Sequence, residues 1–526
     1  MAFTGLRILV WSTGVVFVFC HHLCYDGDKI DRRGAMNILS LQNGSDIRGI
    51  ALEGKAGPVT LTTQAAAVIG DGFVRWLRKS RKDGAFKVAV GMDSRLSGPT
   101  LKEAVTEALT AGGCQVLDCG LATTPAMFMS TVLGGYGCDG AVMVTASHLP
   151  MEYNGLKFFT AGGGLESADI RWILENGQAV QGKGQSELVQ PANLLRDYAA
   201  HLREKIRLGV GNGLDKPLAG FKVVVDAGNG CGGFFAHDVL APLGADISGS
   251  QFLEPDGRFP NHPANPEDHR AIEAVTKAVI NNGADLGIVF DTDVDRVGLI
   301  GDTGEELNKN ALIALMAYVV LEQAPGATIV TDSVTSIGLA RFIEERGGVH
   351  HRFKRGYRNV INEAIRLTRE GTHAPLAMET SGHGALEENY YLDDGAYLAA
   401  KLLVTAARIR ATGGKLTGLI AGLIQPTSEK SIRLNILAED FVSCGGEVLS
   451  ALEKFLEEME GWEKVVPNYE GVRVNCGDEK GWFLLRMSLH EPVMPLNIES
   501  ETPEGADLIW CKLKPFISRF DQLEQL

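Results

Sequence analysis

The chain has no surplus of positive charge: 50 Lys and Arg stand against 65 Asp and Glu, a formal net charge of −15. A broad nucleic-acid surface is thereby excluded, because phosphate backbones demand clustered cations. A small anionic substrate is compatible, provided Arg and Lys gather in a cleft. No C-x-x-C pair occurs among the nine cysteines, Cys20, Cys24, Cys114, Cys119, Cys138, Cys231, Cys444, Cys476 and Cys511. Odd in number and scattered, they support neither a zinc site nor a disulfide framework; most are expected to be reduced, buried small hydrophobes. The G-x-S-x-G elbow of serine hydrolases is missing. No segment after the N-terminus has the length and apolarity of a transmembrane helix. At the N-terminus, Leu6 to Cys20 is mostly apolar with Arg7 as its only charge. It is too short to span a bilayer comfortably, and its weak charged flank and missing A-x-A-like site disfavour a signal peptide.

What is present is globular. With 526 residues, 45% hydrophobic and 22% charged, the chain holds material for several cores, and its size suggests roughly three to five domains. From Leu61 onward short apolar strands alternate with amphipathic helices, which predicts parallel sheets in an α/β architecture. Lys87–Val90, Gln115–Leu117 and Gly140–Thr145 read as strands of a first series, with a helix over Leu101–Ala111. Thr124-Pro125 predicts a further helix start, a cap residue followed by proline. A second series begins at Phe221–Asp226 and ends at Leu286–Phe290; a third runs from Thr328–Thr331 to Leu376–Glu379. The last hundred residues carry charge-rich strands and helices with few βαβ signals. The expected fold class is α/β: three similar α/β domains with mixed or parallel sheets, then a C-terminal α+β domain. Linkers are expected near 205–215, 309–325 and 425–430. The expected division is an N-terminal segment 1–40, then 41–207, 208–310, 311–427 and 428–526.

The richest chemistry lies in Asp291-Thr-Asp293-Val-Asp295-Arg296, directly behind the apolar run Leu286–Phe290. A buried strand there delivers three carboxylates to its C-terminal end, where α/β proteins bind ligands. Like charges that close raise one another's pKa unless a cation neutralises them, and an all-oxygen set favours a hard ion, Mg²⁺ or Ca²⁺. An EF-hand is excluded, since its sixth position is Arg296 and its twelfth Asp302. Arg296 beside a metal suits phosphate oxygens. Ser147 in Thr145-Ala-Ser147-His148-Leu149-Pro150 ends a second strand, where a serine acts as nucleophile if a base or phosphoryl donor is near. Glu379-Thr-Ser381-Gly382-His383 offers acceptors and donors suited to sugar hydroxyls, with a helix N-cap at Thr380 or Ser381 as the plain alternative. In the final domain Arg486-Met-Ser488-Leu-His490-Glu491-Pro492 offers an Arg and a Ser to a phosphate.

In this order, over about Asp46 to Pro492, these loops resemble the α-D-phosphohexomutase superfamily. Asp46-Ile-Arg48-Gly49 is similar to its opening signature and Gly91-Met-Asp93-Ser-Arg95-Leu-Ser97 to its next loop. Thr145–His148 with Tyr153-Asn-Gly-Leu-Lys157 resembles the phosphoserine loop, Asp291–Arg296 the metal loop, Glu379–His383 the sugar loop. Pro255–Pro260 with Asn265-Pro266 is also family-like. The resemblance implies four domains, one loop from each lining a central cleft. It implies a phosphoryl group on Ser147 and one Mg²⁺ held by Asp291, Asp293, Asp295 and that serine phosphate. Arg48, Lys157 and Arg296 supply charge or proton transfer, and Lys157, His148 and His383 are the candidate bases. Glu379 and Ser381 grip the sugar; Gly356 and Tyr357 of the basic loop Lys354–Arg358, with Arg486, Ser488 and His490, complete the substrate contacts. Glucose 1,6-bisphosphate is the implied activator. The phosphoserine donates to a free hydroxyl of a hexose phosphate, giving a bisphosphate that turns over and returns its other phosphate, a reaction of positioning and charge neutralisation.

The final-domain loop departs from the family pattern: Leu489 and His490 replace small and hydroxylated residues, and Pro495 stands where a second Arg is usual. Leu149 replaces an Asn. Losing two or three charged phosphate hydrogen bonds, at about 1.5–3 kcal/mol each, weakens binding by orders of magnitude. The main expectation is an intramolecular phosphotransferase interconverting hexose 1- and 6-phosphates of glucose or mannose. Phosphoglucosamine mutase and a low-activity sugar-phosphate-binding homologue are the alternatives, with an aspartyl-phosphate phosphatase behind them. The likeness is closest to plant homologues, many plastid-targeted, although this N-terminus lacks the Ser- and Arg-rich character of a transit peptide. Plastid or cytoplasm is favoured over the secretory route. No nucleic-acid partner and no membrane association of the folded body is expected, and the protein is expected to be a monomer or dimer.

Overall fold

The computed structural model describes residues 37–80, 84–180, 182–211, 213–488 and 491–524. Expectations for the apolar stretch Leu6–Cys20 and for His490 lie outside these residues. Four sheets follow one another along the chain. In the first, Lys87–Met92 pairs in parallel with Gln115–Leu121 and Gly140–Val144, while Tyr153–Thr160 returns antiparallel beside Gly140–Val144. Asp46–Ile50 adds antiparallel to Tyr153–Thr160 and so brings Arg48 against the loop after Gly140–Val144. Both faces are covered, and side chains alternate between two cores as a strand period of two requires. Val88, Val90, Val142, Val144 and Phe158 face the helices Thr63–Ser80, Gly98–Ala111 and Ser167–Asn176. Ala89, Ala141, Met143 and Phe159 join a second core that runs on through the next two units.

The second sheet has three strands, Val223–Asp226 parallel to Leu286–Phe290, and Val297–Gly301 antiparallel to the latter. The third places Val349–Arg352, Thr328–Thr331 and Leu376–Met378 in parallel, then turns back through Gly384–Leu386 and Leu392–Asp393. The fourth is fully antiparallel, Ser428–Asn435, Val493–Ser500, Gly481–Leu485, Val472–Cys476 and Trp462–Lys464. Helices Phe441–Leu456 and Gly505–Ile517 accompany it, with their own core. This is the expected α/β class with a C-terminal α+β unit. Among the described residues no helix is long and apolar enough to cross a membrane. The six described cysteines other than Cys511 are buried, and all seven are free.

Three local expectations are corrected. The stretch 309–325 is no linker: Asn310–Gln323 is a helix buried almost all round, so it shows none of the polar-face periodicity that marks a surface helix. The helix at Thr124–Met129 is capped by Thr123, whose hydroxyl oxygen accepts from Ala126 N–H, which leaves Thr124 free for another partner. Thr380 and Ser381 cap no helix; they form a tight turn between Leu376–Met378 and Gly384–Leu386.

Candidate active site

Each of the first three sheets ends a buried strand at one cleft. Ser147 follows Gly140–Val144 in a left-handed backbone conformation, φ 49°, unusual for a residue with a side chain. That geometry is imposed by its surroundings. Arg95 is buried and spends four bonds on this loop, Nη2 on the carbonyls of Ser147 and Leu149 and Nη1 on those of Pro150 and Tyr153, and a fifth from Nε on Asp93. Asp93 in turn accepts from Thr145 Oγ1 at 2.7 Å, and that hydroxyl oxygen accepts from Ser147 N–H at 2.9 Å. Arg48 donates to Thr145 O at 3.0 Å and to Asp46 at 2.8 Å.

Across the cleft, Asp291, Asp293 and Asp295 leave the strand Leu286–Phe290 fully buried, one oxygen of each within 4.8 Å of the others. Val294 between them has φ 66°, an outlier for a β-branched residue, which turns the flanking carboxylates to one side. Ser147 Oγ donates to Asp291 Oδ2 at 2.8 Å, and Arg296 Nη2 lies 3.3 Å from the same Oγ. Thr124 Oγ1 donates to Asp293 Oδ2 at 2.6 Å; Lys157 Nζ bonds Asp293 Oδ2 at 3.2 Å and also Asp295 Oδ2. Among the described residues Asp293 Oδ1 and Asp295 Oδ1 are buried with no hydrogen-bond partner, His383 Nδ1 lying 3.9 Å from the latter. Burial, then the charges of Asp295 and Asp293, hold the Asp291 carboxyl well above its ordinary range. Orphaned carboxylate oxygens in an all-oxygen set are what a hard divalent cation satisfies, so the residues fit such an ion.

The protonation of the nearby bases is set by their neighbours. Burial opposes charge on Lys157, but Asp293 and Asp295 outweigh it and raise its pKa well above the ordinary value, so it stands as an ammonium. Burial, then Arg296 and Arg48, pushes His148 down to about 2; its neutral ring has Nδ1 3.3 Å from Ser147 Oγ. Burial also disfavours charge on His383, yet Asp393 and Asp295 hold it up at about 9, with Nδ1 2.6 Å from Asp393 Oδ2.

The sugar-loop candidates are joined to this centre by backbone. Val297 N–H donates to Gly382 O at 3.3 Å, and Arg296 and His383 form a β-bridge. Glu379 Oε1 accepts from Gly356 N–H at 2.6 Å; Gly356, at φ 115°, permits that approach. Ser381 Oγ lies 3.5 Å from Glu379 Oε2. Tyr357 stacks on His383 at 5.1 Å between centroids, and its hydroxyl bonds Asp46 Oδ1 at 3.2 Å. Arg486 lies close enough to Glu379 and Asp332 for their charges to act on it. It donates Nη1 to Met487 O and its Nε is buried with no hydrogen-bond partner among the described residues, while Ser488 Oγ accepts from Glu491 N–H.

Several contributions carry no separate signal in sequence. Arg95 stands in a loop the resemblance singles out, but its clamp acts through carbonyls, which any residue supplies. Asp332 bonds Thr380, and Glu267 reaches Arg296 Nη1 at 3.3 Å. Asp332 does sit directly behind the strand Thr328–Thr331, the same placement that marks Asp291.

Family models describing phosphoglucomutase/phosphomannomutase α/β/α domains I, II and III match residues 40–181, 196–304 and 308–426. The chain is 33% identical over 468 residues to a phosphomannomutase/phosphoglucomutase of Pseudomonas putida, spanning 88% of this chain and 92% of that one. It is 32% identical to a phosphoglucomutase of Neisseria gonorrhoeae, over 90% of this chain and 95% of the relative. Among solved structures, a phosphoglucomutase/phosphomannomutase family protein of Burkholderia thailandensis superposes with TM-score 0.75 at 29% identity, covering 91% and 97% of the two chains. The Paramecium phosphoglucomutase parafusin shares the fold at TM-score 0.71 and 16% identity, over 90% and 94%.

Proposed function

The chain belongs to the phosphoglucomutase/phosphomannomutase family, and on that premise we propose that it moves a phosphoryl group between the O1 and O6 positions of a hexose through Ser147. The observation that carries this reading is the 2.8 Å bond from Ser147 Oγ to Asp291 Oδ2, which joins a serine of the first unit to the aspartate trio of the second. In the active form Ser147 bears the phosphoryl group. The substrate's free hydroxyl oxygen bonds to phosphorus as the Ser147 Oγ–P bond breaks. The proton leaves to His148, the one of the three candidate bases whose ring stands neutral, while the protonated Lys157 and His383 supply positive charge or a proton to the return step. The resulting bisphosphate reorients and returns its other phosphoryl group to Ser147 Oγ. Asp291, Asp293 and Asp295 would hold Mg²⁺, which supplies charge neutralisation to the transferring oxygens when bound. Arg296 and Arg48 hold positive charge against the phosphoryl oxygens, and the Arg95 clamp keeps Ser147 aimed at them. Glu379 and Ser381 orient the sugar. Arg486 and Ser488, with His490 as the resemblance implies, are assigned to hold the phosphate that does not react.

The relatives named above favour glucose and mannose phosphates over glucosamine phosphate. The test is a panel of glucose, mannose and glucosamine phosphates with Mg²⁺ and catalytic glucose 1,6-bisphosphate. Interconversion of 1- and 6-phosphates that is abolished by Ser147→Ala is expected. No interconversion of any sugar, or full activity in Ser147→Ala, overturns the reading.

A further inference from the structure

The strand Thr328–Thr331 ends in Asp332, a carboxyl with no accessible surface. Its Oδ2 accepts from Thr380 Oγ1 at 2.8 Å and from Thr380 N–H at 3.4 Å; its Oδ1 is buried with no partner among the described residues. A half-satisfied buried carboxyl is a poor choice for stability alone, since an apolar residue of similar volume avoids the desolvation cost. Its surroundings sharpen the point. Glu379, the next residue to its partner, brings a second carboxylate close, and Arg355, Arg352, Arg473 and Arg486 carry the facing positive charge. Burial first and Glu379 next push Asp332 up to about 7, against Arg355 and the two Thr380 bonds.

What Asp332 does hold is the turn 379–382. Thr380 is the residue of that turn with both a backbone N–H and a hydroxyl committed to it. On either side of Thr380 stand Glu379, already bonded by Gly356 N–H, and Ser381. The backbone of the turn is held by Val297 N–H on Gly382 O and Glu379 N–H on His383 O, but Thr380 itself lines two adjoining cavities of about 320 and 340 Å³, with the bonds to Asp332 as its side-chain anchor.

We propose that Asp332 is a positioning residue for hexose recognition: it fixes Thr380, and through Thr380 the orientation in which Glu379 and Ser381 meet the sugar hydroxyls. This rests on the reading of Glu379 and Ser381 as sugar ligands. Misorienting two hydrogen-bonding groups weakens ground-state binding more than it slows the chemistry at Ser147, where the turn makes no contact.

The test uses Thr380→Val, Thr380→Ser and Asp332→Leu in the full chain. The readouts are calorimetric affinity for glucose 1-phosphate, which needs no turnover, and steady-state KM and kcat. Thr380→Val and Asp332→Leu are expected to raise Kd and KM about tenfold or more, with a smaller change in kcat, as loss of an interaction to a charged group implies. Thr380→Ser, which restores the hydroxyl, is expected within about threefold of the unsubstituted protein by the same measure. A merely structural bond would lower the melting temperature without this split or this rescue. Equal affinity in Thr380→Val and the unsubstituted protein overturns the proposal, even where Asp332→Leu fails to fold. Loss of affinity in a protein that turns over no sugar phosphate would leave this inference standing and remove the mutase reading instead.

Discussion

At the scale of single residues, much of the site consists of side chains whose partners lie far away in sequence. Thr124 is one: its hydroxyl donates at 2.6 Å to Asp293, 169 residues on, and orients one carboxylate of the trio. Partners of metal-binding carboxylates are typically worth about 10–100-fold in metal affinity, so Thr124→Val should weaken Mg²⁺ binding by that factor in a calorimetric titration. His262 supplies a pH dependence. Its Nδ1 lies 2.8 Å from Pro263 O and its Nε2 3.1 Å from Asp226, both acceptors, an arrangement that favours a proton on each nitrogen, the cationic form. Burial opposes that charge, but the Asp226 hydrogen bond and carboxylate charge prevail and raise the pKa. A folded pKa above the unfolded value of about 6.5 gives stability that is complete below that pH and fades as pH rises through the folded value. The stability difference between the protein and His262→Gln, followed by urea unfolding, should therefore be largest in acid and shrink toward alkaline pH. The three aspartates and Ser147 are legible in the sequence because each directly follows an apolar strand. The roles of Thr124 and Arg95 are not, although both residues lie in stretches the sequence marks, because the identity of their partners depends on how distant segments meet.

At the scale of elements, the buried strands were readable and the turns less so. Leu286–Phe290 is an unbroken apolar run and is a strand of those bounds. Asn310–Gln323 is equally apolar, yet burial on every side erases the periodicity that distinguishes a helix from a connection. The turn at 379–382 depends on one conformation, Gly382 at φ 93°, where an added Cβ would stand 2.6 Å from Val297 O. Gly382→Ala should thus lose about 1–3 kcal/mol from backbone strain alone, seen in denaturant unfolding. It should also depress activity, because Val297, the residue whose carbonyl the Cβ would displace, ties this turn to the strand Val297–Gly301 by donating its N–H to Gly382 O.

At the scale of the whole molecule, the fourth unit has its own core and meets the third through polar bonds, among them Arg341 to Glu501 and Arg355 N–H to Glu470, and one small apolar cluster. Arg473 is buried there, donating to Ser333 O and Thr335 O and lying 3.7 Å from the Trp482 ring, beside the cluster of Val334, Trp482 and Leu484. Arg473→Ala should cost about 1–3 kcal/mol for each carbonyl left unpaired. Scanning calorimetry is expected to resolve a separate, earlier transition for the C-terminal unit, since among the described residues its core is separate and the apolar cluster joining it to the third unit is Val334, Trp482 and Leu484. By itself the sequence determined the class of fold, the order of its units and the loops that carry chemistry, because burial on both faces of a parallel sheet writes continuous apolar runs with polar residues at their ends. Only the tertiary structure decided which loops meet, which acids keep an orphaned oxygen and which base is charged. Those properties arise from distance and burial between segments more than a hundred residues apart, and no local pattern of residues encodes them.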